Sequence, residues 1–498
     1  MFQRTQHVRP GEAIWIMLAL IAMLTGCSTV RRSSWAYDQS PAGYREAYGV
    51  YPATAGNGVT RHLVRSHTTA ILVRPVSSAF ELCSRAWDQV WDWGRRIDVR
   101  FVRFPFLNRK SVPEVVCDAD GMDLVAWEQY LDRMTGQTTS MSDLAFMIDG
   151  AAFYTALESA IAGATNCIDL QTYLFDNDDV ARGIADRLRA RARQVEVRII
   201  CDGLGTYLSH MATAGSQPTN CVPIDNLPRY LCRGSEIRLR IIPNTWLSGN
   251  HVKCMIFDRR TAFIGGMNIG REYRYDWHDL MMRIEGDAVN HLAGDFERLW
   301  RHNGWGGDLA MLVPVRSEPV KPSTPGEVPI RFLRTKPTHA EIYRAQLEAI
   351  RRARAYIYIE NCYLSDDRII YELCRARKRG VDVRVILPGV VNHEIMEHSN
   401  RVSINTFLRN GVRVYIYPRM SHVKAAVYDG WACLGTANFD KLSLQVIREL
   451  NVATSHPETV DALLDALFIP DLEQSVELLK PVPLELKDHL IELVADEV

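Results

Sequence analysis

Two stretches of the chain carry the same residues in the same order. The first is His251-Val252-Lys253, then Asp258, then Gly265-Gly266-Met267-Asn268. The second is His422-Val423-Lys424, then Asp429, then Gly435-Thr436-Ala437-Asn438. In each copy histidine and lysine are two residues apart, and on a strand such residues point to the same face. An imidazole and an ammonium therefore project together. The small pairs Gly265-Gly266 and Gly435-Thr436 permit a tight turn that exposes backbone N–H groups. Asn268 and Asn438 add side-chain amide donors. Asp279 lies 11 residues after Asn268, and Glu449 lies 11 after Asn438. A carboxylate at the same place in both copies is expected to orient a histidine and steady its imidazolium.

Such a set suits a phosphodiester. Attack at phosphorus raises the negative charge on the non-bridging oxygens. Two ammonium groups and two amides stabilise it without a metal or other cofactor. One histidine attacks as the nucleophile and splits the displacement into two steps. The other protonates the leaving oxygen, help worth ~10²–10⁴ in rate. The expected catalytic set is His251, Lys253, Asp258, His422, Lys424 and Asp429. The expected phosphate-binding set is Asn268, Asn438, Gly266 and Thr436, with Asp279 and Glu449 as orienting groups. The symmetry of the copies does not say which histidine takes which role.

Elements repeat around the motifs. Cys167–Leu174 and Tyr356–Leu364 are strand-like runs, each preceded by a helical stretch, Ala151–Ala162 and Ala340–Arg352. Each is followed by an Asp-Asp pair, Asp178-Asp179 and Asp366-Asp367, at a plausible helix start. Basic helices then lead to matching apolar strands, Val195–Ile200 and Val381–Ile386. The fold class expected is α/β: a pseudo-symmetric duplication, two mixed or parallel sheets flanked by helices. The halves are expected at 141–312 and 330–498, joined by a Pro-rich linker over 313–329 with Pro314, Pro319, Pro322, Pro325 and Pro329.

These residues resemble the twin signature of the phospholipase D superfamily over roughly residues 141–475. The resemblance implies a covalent phosphohistidine, no metal requirement, His251 as nucleophile and His422 as acid. Gly266 stands where serine is common in the family, which puts one phosphate hydrogen bond in doubt. Trp277–Gly286, Arg379–Arg384 with Pro388-Gly389, and Phe468–Glu473 are similar to bacterial cardiolipin synthases. That favours transfer of a phosphatidyl group to an alcohol on another lipid; the same intermediate resolved by water gives a phospholipase D. A duplicated chain supplies both motifs, so a monomer is expected, with phospholipid as substrate.

The rest of the chain bears on place and partners. Arg4 and Arg9 precede an apolar run, Ala13–Leu24, too short to span a bilayer with comfort. It ends in Leu24-Thr25-Gly26-Cys27, which resembles a bacterial lipobox with Cys27 as the lipidated residue. Residues 1–27 are then a signal peptide, and Ser28 favours the outer membrane, facing the periplasm, by the same resemblance. Residues 28–140 read as a tether and a helical extension. Within the extension, Phe80, Trp87, Val90 and Trp91 lie near helical spacing, as a membrane-docking or a core-packing stripe, the latter favoured slightly. The formal net charge is -1 and the pI about 6.9, which speaks against a dedicated nucleic-acid partner. A secreted nuclease and a non-catalytic scaffold lipoprotein rank below a lipid enzyme. The 11 cysteines show no zinc-like spacing, although Cys221 and Cys232 are close enough in sequence to pair in an oxidising compartment.

Overall fold

The computed structural model describes residues 56–495, apart from short breaks at 117–118, 210–213, 215, 222–223, 225, 246–247, 305, 315–319 and 321–325. The segment expected as a signal peptide, with Cys27, the expected tether and most of the Pro-rich stretch lie outside the described residues, as do the side chains of Val90 and Trp91.

Among the described residues seven strands build the core of the first half: β1 (Ser140–Ile148), β2 (Cys167–Thr172), β3 (Glu196–Asp202), β4 (Arg238–Ile242), β5 (Cys254–Phe257), β6 (Thr261–Gly265) and β7 (Leu280–Gly286). The second half has β8 (Val328–Lys336), β9 (His339–Ala340), β10 (Tyr356–Asn361), β11 (Asp382–Pro388), β12 (Arg413–Tyr417), β13 (Lys424–Tyr428), β14 (Trp431–Gly435), β15 (Glu449–Thr454) and β16 (Val476–Glu477). The first half runs β1-β7-β6-β5-β2-β3-β4, and the second repeats this order as β8-β15-β14-β13-β10-β11-β12. β2–β3 and β10–β11 are parallel, and β5 and β13 run antiparallel to β2 and β10. The two expected sheets are joined into one, because β1 pairs with β8 through Ser140↔Ile330, Met141↔Pro329 and Ser142↔Val328.

The local reasons are visible. β2 and β5 are buried along their whole length; every residue of β5 is apolar, whereas β2 mixes Cys167, Ile168 and Leu170 with buried polar residues, of which Asp169 is held by Arg198 at 2.6 and 2.7 Å. Asp178 caps the helix Asp179–Arg191 by accepting from the Ala181 amide at 2.7 Å. Asp366 caps Asp367–Arg377 from the Arg368 and Ile369 amides. Both helices close with arginines, which complements the dipole.

The extension is built onto both halves. Its first two helices, Gly56–Val73 and Pro75–Ile97, pack on the first half by polar contacts. Ser66 accepts from the Asn244 amide at 2.7 Å, and the Thr245 hydroxyl donates to Glu81 at 2.5 Å. Phe80 and Trp87 point outward, at 60% and 66% exposure, so these two apolar residues do not face the core. A later helix, Leu124–Thr135, does pack as core: Trp127 is fully buried edge-on against Trp431 at 5.0 Å. Arg331 ties the same helix down through Glu128 and Asp132. Cys221 and Cys232 are free, half-buried thiols. Among the described residues no helix is long and apolar enough to cross a membrane.

Truncating Trp127 to alanine removes a large buried ring, a change that costs ~3–5 kcal/mol in well-packed cores. Trp127→Ala is expected to lower unfolding free energy by about that much in a urea titration. A loss under ~1 kcal/mol would mean that this helix is not part of the core.

Candidate active site

Both histidines sit just before a strand, at the end of β5 and β13 where the two halves meet. Backbone bonds hold them there. The His251 amide donates to Arg448 O at 2.9 Å, and the His422 amide donates to His278 O at 2.7 Å. Each half thus grips the motif of the other.

The side chains cross over in the same way. His251 Nδ1 lies 2.8 Å from Glu449 Oε1, and His422 Nδ1 lies 2.7 Å from Asp279 Oδ2. Asp279 and Glu449 are fully buried, and each orients the histidine of the opposite half. Nδ1–H bound to a carboxylate leaves Nε2 of each ring for chemistry. The lysines stand beside them. Lys253 Nζ donates to His251 O at 2.7 Å and lies 5.3 Å from the centre of the Tyr173 ring. Lys424 Nζ donates to His422 O at 2.6 Å and to Cys362 Sγ at 3.3 Å.

Three buried basic groups and one buried acid strain against ionisation. Burial, only partly offset by Glu449, lowers His251. Burial, with the ammonium groups of Lys424 and Lys253, pushes His422 well below the ordinary imidazole range. Burial brings Lys253 down to about 7, against the pull of Glu449. Burial also raises Asp279 to about 7, although Lys424 pulls the other way. An anion between the lysines reverses the pressure on the basic groups, because opposite charge favours their protonated forms. The centre is therefore matched to a phosphate.

The chain's relatives agree with that chemistry. Residues 157–300 and 347–468 match the family described as "Cardiolipin synthase, PLD-like domain". The chain belongs to this family. It is 26% identical over 353 residues to a cardiolipin synthase of Clostridium perfringens, covering 67% of this chain and 71% of that protein. It is 29% identical over 360 residues to a probable cardiolipin synthase of Bacillus subtilis, covering 68% of each. The crystal structure of phosphatidylserine synthase from Haemophilus influenzae shares the fold, with a TM-score of 0.58 at 13% identity, over 75% of this chain and 96% of that one.

Within this phospholipase D-like frame, several expected residues have other work. Asp258 and Asp429 are not beside the histidines. They open the hairpin turns at the far ends of β5 and β13, five residues or roughly 16 Å along the strand from the lysines. Both take left-handed backbone, φ 54° and 47°, which aspartate tolerates. Asp258 accepts from the amides of Thr165, Asn166 and Cys167 at 2.7–3.0 Å. Asp429 accepts from those of Met122, Arg354, Ala355 and Tyr356. Their catalytic assignment is corrected to that of anchors for the chain entering β2 and β10.

The residues expected to bind phosphate have protein partners of their own. Asn268 accepts from Leu174 N and Thr172 Oγ1 and donates to the Tyr273 hydroxyl, which leaves it one N–H. Asn438 accepts from the Cys362 thiol at 3.0 Å, and its amide bonds Asp440. The Gly266 amide donates to Leu280 O. The Thr436 hydroxyl donates to Glu449, and Thr436 holds that carboxylate rather than a ligand. A Cβ on Gly266 would fall 2.1 Å from Asp279 Oδ1, so this glycine makes room for the orienting acid.

Other site residues lay outside the motif. Tyr173 and Tyr363 follow β2 and β10 at matching places, and Tyr173 stands edge-on to His251 at 4.8 Å. Trp277 borders His422 at 5.2 Å. His278 holds Asp149 at 2.8 Å and Asp471 at 2.9 Å. Burial opposes its charge, but those two carboxylates outweigh it and raise His278 to about 11. It is a buried cation, and Arg448 occupies the matching place in the other half, one residue before the orienting acid. That shared offset is a signal the sequence contained.

The anchoring role of Asp258 has a pH consequence. Burial opposes its charge, but the amides of Thr165, Cys167 and Asn166 outweigh burial and lower its pKa. A depressed folded pKa stabilises above the unfolded value, near 4, and the gain is lost as pH falls through the folded value. Asp258→Asn is expected to cost about 1–2 kcal/mol at pH 7 and progressively less in acid, while kcat of the folded enzyme changes little. Denaturation at both pH values with a turnover assay checks this. A kcat loss of a hundredfold at unchanged stability would return Asp258 to the chemistry.

Proposed function

We propose that the chain is a phosphatidyltransferase of the cardiolipin synthase type, held at the bacterial outer membrane through a lipidated Cys27. The exchange of histidine and carboxylate between halves, flanked by two lysines, carries the catalytic reading. His251 Nε2 attacks the phosphorus of a phospholipid. His422 Nε2–H protonates the departing alcohol oxygen, and a phosphatidyl-histidine remains. An acceptor alcohol then enters, loses its proton to His422 and takes the phosphatidyl group, which frees His251. Lys253 and Lys424 stabilise the equatorial oxygens throughout.

The site's asymmetry supports these roles. A nucleophilic histidine becomes cationic when phosphorylated and gains from a firm anionic partner. An acid releases its proton more readily beside a carboxylate that resists ionisation. Asp279, raised to about 7 by burial, is such a partner for His422. Glu449, on His251, receives a further hydrogen bond from Thr436.

Membrane attachment is supported by the apolar segment and its terminal Cys27, and by apolar residues presented outward on the extension: Leu72 at 76%, Val76 at 71% and Phe80 at 60% exposure. The expected mature protein begins at an acylated Cys27. Intact-mass measurement of membrane-extracted protein, with Cys27→Ser as control, checks this; a mature chain without acyl mass rejects the anchor.

The reaction is tested with full-length protein, phosphatidylglycerol, and either glycerol or phosphatidylethanolamine. Cardiolipin that forms with wild type and falls at least a hundredfold in both His251→Ala and His422→Ala is the expected result. Phosphatidic acid alone would make the enzyme a hydrolase. No lipid product, with cleavage of a nucleic acid, would overturn the lipid reading. The pH profile adds a second check. Lys253 and His422 must both be protonated, and burial holds His422 below the ordinary imidazole range and Lys253 near 7, so kcat/KM is expected to fall with rising pH from below the ordinary imidazole range and further through about 7. The limb in kcat lies higher, because the bound anion raises both groups.

A further inference from the structure

A cavity of about 330 Å³ lies where the extension meets the helix Asp367–Arg377. Its floor is apolar: Val102, Phe106, Leu107 and Tyr371. Val102 and Phe106 are 47% and 64% exposed. Its rim carries five cations, Arg103, Lys110, Arg375, Lys378 and Arg379, and no carboxylate lines it.

The rim is short of counter-charge. Asp98 pairs with Arg103, and Glu372 with Arg375 and Arg351. Among the described residues no carboxylate forms an ion pair with Lys110, Lys378 or Arg379. Lys378 donates instead to Lys110 O at 2.6 Å, and Arg379 to Ile350 O and Ala353 O. These bonds to neutral carbonyls fix Lys378 and Arg379 at the rim, and the carboxylates that act on Arg379, Glu372 and Asp429, do so without an ion pair to it. The walls are also firm, since Arg377 donates to Pro113 O and the Val116 amide to Gly380 O. In a chain with a net charge of -1, this is a local concentration of positive charge.

We propose that this cavity binds an anionic phospholipid as a second lipid site, its headgroup phosphate among Lys110, Lys378 and Arg379 and its acyl chains on Phe106 and Val102. A small soluble anion would use the cations but leave the apolar floor wet. A zwitterionic lipid would use the floor but leave the charge excess unmet. Only an amphiphile with net negative charge satisfies both surfaces. The site is separate from the twin-histidine centre: Arg375 and Lys378 lie at the C-terminal end of a helix whose N-terminal cap, Asp366, faces that centre's side. The proposal therefore stands whatever the centre transfers.

The test uses full-length protein with His251→Ala to stop turnover, in nonionic detergent, and phosphatidylglycerol bearing a photoreactive acyl chain. Labelled peptides are mapped by mass spectrometry. Labelling is expected around Phe106 and Tyr371 as well as at the catalytic centre. Lys110→Glu with Lys378→Glu is expected to reduce the first about tenfold and leave the second unchanged. Unlabelled phosphatidylglycerol competes; phosphatidylethanolamine and glycerol 3-phosphate do not. Phe106→Ser, at an exposed position, weakens labelling by itself and serves where the double variant fails to fold. Equal labelling in the charge variant, equal competition by phosphatidylethanolamine, or displacement by glycerol 3-phosphate would each overturn the proposal.

Discussion

Each histidine of the centre is held by a carboxylate from the opposite half, and the architecture follows from that exchange. His251 needs Glu449, and His422 needs Asp279. Neither half alone supplies both members of either pair at the centre. The halves must therefore meet in one register, and the backbone bonds His251–Arg448 and His422–His278 impose it. The strand pairing between β1 and β8 spans only three residue pairs, so it orients the halves without locking the centre by itself. Removing one partner of a buried pair leaves a desolvated charge, which costs several kcal/mol. Catalytic alignment and the cohesion of the duplicated fold thus rest on the same bonds.

Burying two lysines and two histidines together is unfavourable in the empty protein. The depression of Lys253 and His422 expresses that cost. A phosphodiester relieves it, and the doubly charged equatorial oxygens of the displacement relieve it further. This is differential binding: the electrostatic field suits the reacting state better than the resting one. The His278 cation belongs to the same scheme. Held by Asp149 and Asp471, it positions the backbone from which His422 hangs.

Much of this was legible in the sequence, because duplication turns weak signals into strong ones. The strands β2 and β10, their Asp178 and Asp366 caps and the twin motifs could be aligned by eye. Asp279 and Glu449 were found by their shared offset. Their exchange between halves was not, since an offset within one half carries no information about the partner across the interface. Asp258 and Asp429 misled for a related reason. Regular recurrence with His and Lys marks common necessity, not common location. The hairpin chemistry of Asp429-Gly430, with φ 47° and 90°, was the better guide. On the Pro75–Ile97 helix Phe80 and Trp87 face outward, against the slightly favoured core-packing reading, because the packing contact there is polar, through Glu81, which periodicity of apolar residues does not reveal.

The differences between the two copies are as informative as their likeness. One half pairs a short acid with a glycine, Asp279 with Gly266; the other pairs a longer acid with a threonine, Glu449 with Thr436. Asp279 fills the space a side chain at 266 would need. Glu449 reaches farther and accepts a hydrogen bond from the Thr436 hydroxyl. The two solutions place a carboxylate oxygen at the same distance from Nδ1, 2.7 and 2.8 Å, yet leave the carboxylates in unequal environments. Geometry is conserved between the halves while electrostatics diverge. On the proposed mechanism a symmetric fold acquires one nucleophile and one acid in this way, because the two roles ask for the same position but opposite proton affinities.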